Sequence, residues 1–256
     1  VAGTALLGRL SVARTPVAWR LATVRESVDE TARTRTIRLD APDWPGHVAG
    51  QHVDVRLTAE DGYQTERSYS IASAPEDARL ALTVERIDDG EVSPYLVDEL
   101  RPGDELELRG PIGGYFAWRV ADGGPLLLLA GGSGIVPIMA MLRHRAAQGS
   151  SVDTRVVVSA RSLRDLIYRD ELAALGGGAG LAVHVTLTRE QPEGWTGLAG
   201  RIDADMLATV GPPPGDAPLV FVCGPTAFVE RAADLLVERG HRPSAIRAER
   251  FGPTGG

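Results

Sequence analysis

Between Trp19 and Phe116 the chain is built from short apolar-polar runs. Val53-Asp54-Val55-Arg56-Leu57 alternates with period two, and Leu80-Ala81-Leu82-Thr83-Val84 follows the same period. That period places successive side chains on opposite faces of a strand. Pro45-Gly46, Asp61-Gly62, Asp89-Gly90 and Pro102-Gly103 separate the runs as turns. Short strands at this spacing predict a small antiparallel barrel. One helix is expected within it, from Pro94 to Leu100.

The pattern changes after Asp122-Gly123-Gly124-Pro125. Leu126 to Ala130 is continuously apolar, as a strand buried on both faces requires. A glycine turn and a helix to Ala147 follow. Arg155–Ser159 is a second buried strand, with a helix from Leu163 to Leu175. Leu181–Leu187 is a third strand. Leu219–Cys223 is a fourth, followed by a helix from Ala227 to Arg239, and Ile246–Phe251 is a final strand. Strands alternating with helices predict a doubly wound parallel sheet. The expected organisation is an N-terminal extension over residues 1–18, a β-barrel over 19–120 and an α/β unit over 121–256.

Composition narrows the chemistry. The 256 residues are 43% hydrophobic, as in a folded globular chain. Apolar runs such as Leu126–Ala130 are far too short to span a bilayer. The patch Ala5-Leu6-Leu7 is interrupted by Gly8 and Arg9 and makes a poor signal peptide, so a cytoplasmic location is expected. A single cysteine, Cys223, rules out a disulfide framework and an iron–sulfur cluster held by several thiolates of this chain. The five histidines show no ligand spacing, and no metal is expected. All 27 basic residues are arginine. Without lysine there is no P-loop lysine, pyridoxal Schiff base or lysine nucleophile. The net charge of −7 argues against nucleic acid as the main partner, while leaving room for local arginine sites that bind phosphates.

Two segments carry most of the chemistry. In Arg67-Ser68-Tyr69-Ser70, period two puts Arg67 and Tyr69 on one face. A guanidinium fork suits a pyrophosphate, a tyrosine ring can stack on an isoalloxazine, and Ser70 can offer a hydroxyl to flavin N5. An exposed strand with an unrelated arginine and tyrosine is the other reading. Gly90-Glu91-Val92-Ser93-Pro94 has the form of a helix start, with Ser93 as N-cap and Pro94 at N1. Such a start presents free N–H groups to an anion, although an ordinary capped helix accounts for it equally. Gly110-Pro111-Ile112-Gly113-Gly114-Tyr115-Phe116 reads as a turn closing the barrel. The second segment, Gly131-Gly132-Ser133-Gly134-Ile135-Val136-Pro137, joins an apolar strand to a helix. Its glycines permit close approach to a pyrophosphate, or simply a tight structural turn. It is neither the GxGxxG fingerprint nor a GxSxG nucleophile elbow, because Ile135 stands where the final glycine would be.

Cys223-Gly224-Pro225 ends a strand of the parallel sheet, where sites in such sheets lie. A lone buried cysteine is otherwise inert packing. Arg161, Arg189 after Thr188, and Arg201 follow or lie near later strand ends. Cationic forks there suit an adenosine 2′-phosphate, although arginine is common throughout this chain. No acid occupies the end of the second strand, which supports NADPH over NADH.

Together these segments resemble the ferredoxin–NADP reductase superfamily, and the resemblance runs from Trp19 to Phe251. It implies a six-stranded FAD-binding barrel followed by a doubly wound NAD(P)-binding sheet, in a stand-alone bacterial member without an iron–sulfur domain. Arg67, Tyr69 and Ser70 match the flavin motif. Gly90, Val92 and Ser93 match the pyrophosphate element, which favours FAD over FMN. Gly131, Gly132, Ser133 and Gly134 match the pyridine-nucleotide turn. Cys223, Gly224 and Pro225 match the unit bordering the nicotinamide, where Cys223 has a steric and orienting role. Arg161, Thr188, Arg189 and Arg201 resemble the set that selects NADPH over NADH in bacterial members. Glu249 matches an acid used in proton relay, and Phe251 an aromatic that covers the flavin. Plant-type members end in tyrosine, whereas here Phe251 is followed by Gly252-Pro253-Thr254-Gly255-Gly256. The activity implied is hydride transfer from NADPH to FAD and single-electron transfer to a separate ferredoxin, flavodoxin, haem protein or oxygenase component. A monomer is expected. A ferric-siderophore reductase, a free-flavin reductase and a non-catalytic flavin sensor are the alternatives.

Overall fold

The structure, a computed structural model, describes residues 17–251. Most of the expected N-terminal extension and the tail after Phe251 lie outside the described residues. The first half consists of β1 (Trp19–Thr31), β2 (Thr34–Asp40), β3 (His52–Thr58), β4 (Gln64–Ser70), β5 (Leu80–Glu85) and β6 (Glu105–Ile112). They form one antiparallel sheet in the order β4-β3-β6-β1-β2-β5. A bridge between Ile71 and Leu82 joins the two edges and closes the barrel. Val24, Ile37, Leu39, Val53, Val55, Leu82, Val84, Leu106 and Leu108 fill it.

The Leu80–Val84 run is buried on both faces rather than on one. Leu80, Leu82 and Val84 face the barrel core, while Ala81 belongs to the core of the second half. The helix expected over 94–100 is a single π-helical turn at Tyr95–Glu99, which packs Leu96 and Val97 against the barrel.

The second half contains β7 (Leu126–Gly131), α1 (Ile135–Ala147), β8 (Thr154–Ala160), α2 (Arg169–Leu175), β9 (Leu181–Leu187), β10 (Leu198–Ala199), α3 (Ala204–Val210), β11 (Leu219–Pro225), α4 (Thr226–Glu238) and β12 (Ile246–Phe251). The sheet order is β10-β9-β8-β7-β11-β12, and every pair is parallel. The chain winds outward from β7 through β8, β9 and β10, then returns to β11 on the other side of β7. The gap between the carboxyl ends of β7 and β11 is therefore the topological switch point, where parallel sheets bind ligands.

Two expectations need correction. β10 and α3 are additional elements. β10 is only two residues long, whereas α3 is capped by Asp203, whose carboxylate accepts the Met206 N–H at 2.8 Å. The helix expected from Leu163 to Leu175 is a 3₁₀ turn at Leu163–Asp165 followed by α2. Tyr168 breaks it, with φ of 58° in the left-handed region that non-glycine residues rarely adopt. Its side chain is held from two sides. The hydroxyl bonds to Thr83 Oγ1 of β5, and the Arg143 guanidinium lies 4.8 Å from the ring centroid.

Those contacts belong to the junction between the halves. Ala49, Ala72, Phe116 and Trp118 pack into one cluster with Ile135, Ile138 and Met139 of α1. Arg143 of α1 donates to the Ala72 carbonyl at 2.7 Å and holds Glu171 of α2 through two bonds of 2.8 and 2.6 Å. Tyr115 donates to the Ile246 carbonyl at 3.0 Å, and Arg247 to the Ala117 carbonyl at 2.7 Å. Among the described residues no helix is long and apolar enough to cross a membrane.

Replacing Tyr168 by phenylalanine removes one buried hydrogen bond. Thr83 Oγ1 keeps its 2.7 Å partner, Thr36 Oγ1, so no polar group is stranded. The expected loss is about 1 kcal/mol. Tyr168→Ala also leaves a cavity and is expected to cost roughly 3–5 kcal/mol. Urea unfolding measures both, and an unchanged midpoint in Tyr168→Ala would show that the tyrosine does not brace the junction.

Candidate functional site

β7 ends at Gly131, and a 3₁₀ turn at Gly132–Gly134 leads directly into α1. A side chain cannot be added at Gly134: a Cβ there would lie 2.1 Å from the Cys223 carbonyl oxygen and 2.7 Å from the Gly224 nitrogen. The turn therefore packs on the end of β11 at the switch point. Gly132 has φ of 54°, and a Cβ there would meet nothing within 4 Å. Its backbone faces open space, as close approach of a ligand requires. No side chain caps α1, and no acid lies in its first turn. Its free N–H groups fit an anion such as a pyrophosphate. Phe228 of α4 lies beneath the turn, 2.8 Å from where a Gly131 Cβ would sit. This apolar residue of a helix's first turn gave no separate signal in the sequence.

The parallel register of β11 and β12 pairs Cys223 with Glu249, and Pro225 with Phe251. Cys223 is fully buried, and both burial and the neighbouring Glu249 charge push its thiol well up. It is a packing thiol rather than a nucleophile. Glu249 is half-buried and has no hydrogen-bond or ion-pair partner among the described residues. Burial raises its pKa to about 7, so it holds or releases a proton near neutrality. Phe251 packs against the cluster that contains Cys223 and Phe116.

On the barrel side, the antiparallel register of β3 and β4 pairs Val53 with Tyr69 and Val55 with Arg67. Paired residues share a face, so Tyr69 and Arg67 project on the side of the barrel core. Tyr69 packs on that core, and burial raises its hydroxyl pKa beyond the usual range. Arg67 is exposed. The segment after Gly90 lies against this face. Thr65 Oγ1 donates to Glu91 at 3.1 Å, Tyr63 Oη donates to it at 3.3 Å, and an Arg67 nitrogen lies 4.0 Å away. Glu91 thus sits beside Arg67, a contact that its place in the sequence does not signal.

The Ser93 N-cap expectation is corrected. Its hydroxyl accepts the Ile87 N–H at 3.0 Å, and Pro94 takes the capping position with no side-chain bond. The turn at Asp88–Gly90 uses the serine to satisfy its own backbone. Val92 is buried in the barrel core, so only its backbone is offered to a cofactor. Ser70 is nearly buried, and no side-chain hydrogen bond involves it among the described residues. It ends β4, two residues before the Ala72 carbonyl held by Arg143. β5 lies directly against the Gly132–Gly134 turn. The end of the Arg67–Ser70 strand and the glycine turn therefore share one junction.

Arg161, Arg189 and Arg201 lie just beyond the carboxyl ends of β8, β9 and β10. The Arg189 N–H donates to the Arg161 carbonyl at 3.0 Å, fixing two of these loops together. Thr188 serves the backbone, with its N–H bonded to the Ala160 carbonyl at 2.9 Å. No acid occupies the end of β8, as expected, but one reaches this corner from further along the chain. The 3₁₀ turn returns Asp165 to Arg161 at 3.1 Å. Arg164 pairs with Glu190 at 2.6 Å. Among the described residues, no cluster of three histidine, cysteine or acidic side chains forms a metal site.

Two family models match the chain: the oxidoreductase FAD-binding domain over residues 21–117 and the oxidoreductase NAD-binding domain over 128–234. The chain is 35% identical over 209 residues to the glycine betaine monooxygenase reductase subunit of Pseudomonas aeruginosa, covering 80% of this chain and 56% of that protein. It thus spans little more than half that relative's length. It is 36% identical over 210 residues to ferredoxin–NADP reductase B of Sorangium cellulosum, covering 79% and 84% of the two chains. In structure it is similar to the flavohem-like FAD/NAD-binding domain of nitric oxide dioxygenase from Vibrio cholerae, with a TM-score of 0.82, 27% identity and coverage of 91% and 99%. Both family models, the glycine turn packed on the Cys223 strand and the barrel fused to it agree: the chain belongs to the ferredoxin–NADP reductase superfamily of flavoprotein oxidoreductases, built to bind FAD and NAD(P)H.

Proposed function

We propose that this chain draws electrons from NADPH through FAD and delivers them singly to a separate protein acceptor carrying an iron–sulfur, flavin or haem centre. The observation that carries this reading is the junction of Gly132–Gly134 with the end of β11 and with β5, to which Ile71, the residue after Arg67–Ser70, is bridged, because it brings the two motifs to one place. A bound FAD supplies acceptance of the nicotinamide hydride and later release of single electrons. In this reading the barrel over 19–120 serves as the flavin unit and residues 121–256 as the nucleotide unit.

The chain's own residues orient and shield. Arg67 neutralises phosphate charge, and Tyr69 offers its ring as a flavin platform. The backbone at Gly90, Val92 and Ser93 completes the diphosphate side. Gly131 to Gly134 and the start of α1 receive the dinucleotide pyrophosphate. Cys223, Gly224 and Pro225 shape the nicotinamide slot, and Phe251 covers it against water. Ser70 presents a hydroxyl at the flavin edge. Glu249 holds a proton beside the slot and releases it near neutral pH. Arg161, Arg189 and Arg201 receive the adenosine 2′-phosphate. The names of the two relatives, a monooxygenase reductase subunit and a ferredoxin reductase, support a protein acceptor.

NADPH oxidation assayed with a plant-type ferredoxin, a flavodoxin and a ferric chelate tests the acceptor. Faster turnover with a protein carrier is expected, whereas activity on the chelate alone would favour a ferric reductase. Replacing Arg189 or Arg201 by alanine is expected to raise KM for NADPH about tenfold or more, the value of one charge-assisted bond, with little change for NADH. Equal effects on both nucleotides would remove these arginines from the 2′-phosphate.

Glu249 makes a pH prediction. Its pKa rises from 4.5 to about 7 on folding, so the folded chain binds the extra proton between those values. The contribution of Glu249 to stability is therefore expected to fall as pH rises from 4.5 through 7 and to level off outside that window, against the opposite contribution of His47, His52, His184 and His241, whose pKa values burial lowers. Glu249→Gln should flatten the fall in urea unfolding and remove an apparent pKa near 7 from the turnover profile. Persistence of both features would assign the titration to another group.

A further inference from the structure

The arginine corner contains an acid that its strand ends do not reveal. Asp165 is fixed rather than free to swing. Its Oδ1 faces Arg161 at 3.1 Å, and its Oδ2 accepts the Ser162 hydroxyl at 2.7 Å. Its backbone N–H donates to the Ser162 carbonyl at 3.1 Å, closing the 3₁₀ turn. Ser162 is itself buried, so the turn is anchored. Behind it, Arg164 is held by Glu190, whose backbone N–H bonds to the Arg161 carbonyl at 3.1 Å. Two of the loop's arginines are thus already engaged by carboxylates, while Arg189 and Arg201 have no ion-pair partner among the described residues.

We propose that Asp165 is a specificity-determining residue that holds the Arg161 fork as an internal counter-ion and weakens recognition of the 2′-phosphate. This rests on the reading of Arg161 as part of the 2′-phosphate site. A phosphate arriving at Arg161 meets a carboxylate already seated on the guanidinium. It must displace that carboxylate or share the fork beside a like charge. NADH carries no such phosphate and leaves the Arg161–Asp165 pair undisturbed. The pair is partly exposed, so the penalty is moderate, and it lowers the preference for NADPH without abolishing it. The consequence is an enzyme that also accepts NADH, with its nucleotide preference set by one carboxylate.

Calorimetric binding of 2′,5′-ADP and of 5′-ADP to the flavin-loaded full chain tests this without turnover. Asp165→Asn keeps one oxygen to accept the Ser162 hydroxyl, and it removes the charge and the bond to Arg161 together, because the amide NH2 then faces the guanidinium. It is expected to tighten 2′,5′-ADP about fivefold and leave 5′-ADP unchanged, the latter also reporting an intact fold. Unchanged or weaker 2′,5′-ADP binding in Asp165→Asn would overturn the inference and make the aspartate a positioner of Arg161. Arg161→Ala separates this failure from that of the underlying reading. A loss of 2′,5′-ADP affinity in that variant keeps Arg161 at the phosphate. An Arg161→Ala variant that binds 2′,5′-ADP as well as the parent protein would overturn both.

Discussion

The site depends on a single close approach of two backbone segments. The Gly134 α-carbon lies so near the end of β11 that a methyl group there would overlap the Cys223 carbonyl. This contact fixes the start of α1 at the switch point of the sheet. From there α1 runs along the barrel, where Arg143 grips the Ala72 carbonyl beyond the end of β4. One helix thus connects the glycine turn at its beginning to the barrel near its end. Close-packed apolar residues on both sides hold that arrangement, and Tyr168 bonds across it to β5.

Carboxylates surround the cationic and backbone elements of this site in a graded way. Glu91 faces Arg67, Asp165 faces Arg161, and Glu249 stands without a partner beside Cys223. Each acts differently because each environment differs. Glu91 is exposed and solvated, Asp165 is pinned by a buried serine, and Glu249 is raised to about 7 by burial.

Much of this was legible in the residues. Glycine turns precede the apolar runs at Leu126–Ala130 and Leu181–Leu187 and follow the helix ending at Ala147, and the structure keeps those bounds closely. Arg67, Tyr69 and Ser70 share a strand because period two is a local property. What escaped was set by tertiary contacts. Tyr168 adopts a left-handed backbone to reach Thr83 across the junction, which no local pattern encodes. Ser93 has the right neighbours for an N-cap, yet a turn six residues upstream uses its hydroxyl. Asp165 lies four residues beyond Arg161, and only the 3₁₀ turn brings the two together. The α3 helix did have a local signal at Asp203, the capping residue before Ala204.

In the proposed function the glycine turn and the Arg67–Ser70 strand bring a nicotinamide and a flavin into reacting contact. Anaerobic rapid mixing of the flavin-loaded protein with NADPH, and with NADPH carrying two deuteriums at C4, is the decisive experiment. The oxidised flavin absorbance is expected to disappear in a single turnover, more slowly with the deuterated nucleotide. A flavin spectrum that NADPH and NADH leave unchanged, while dithionite bleaches it, would rule out hydride transfer between the two.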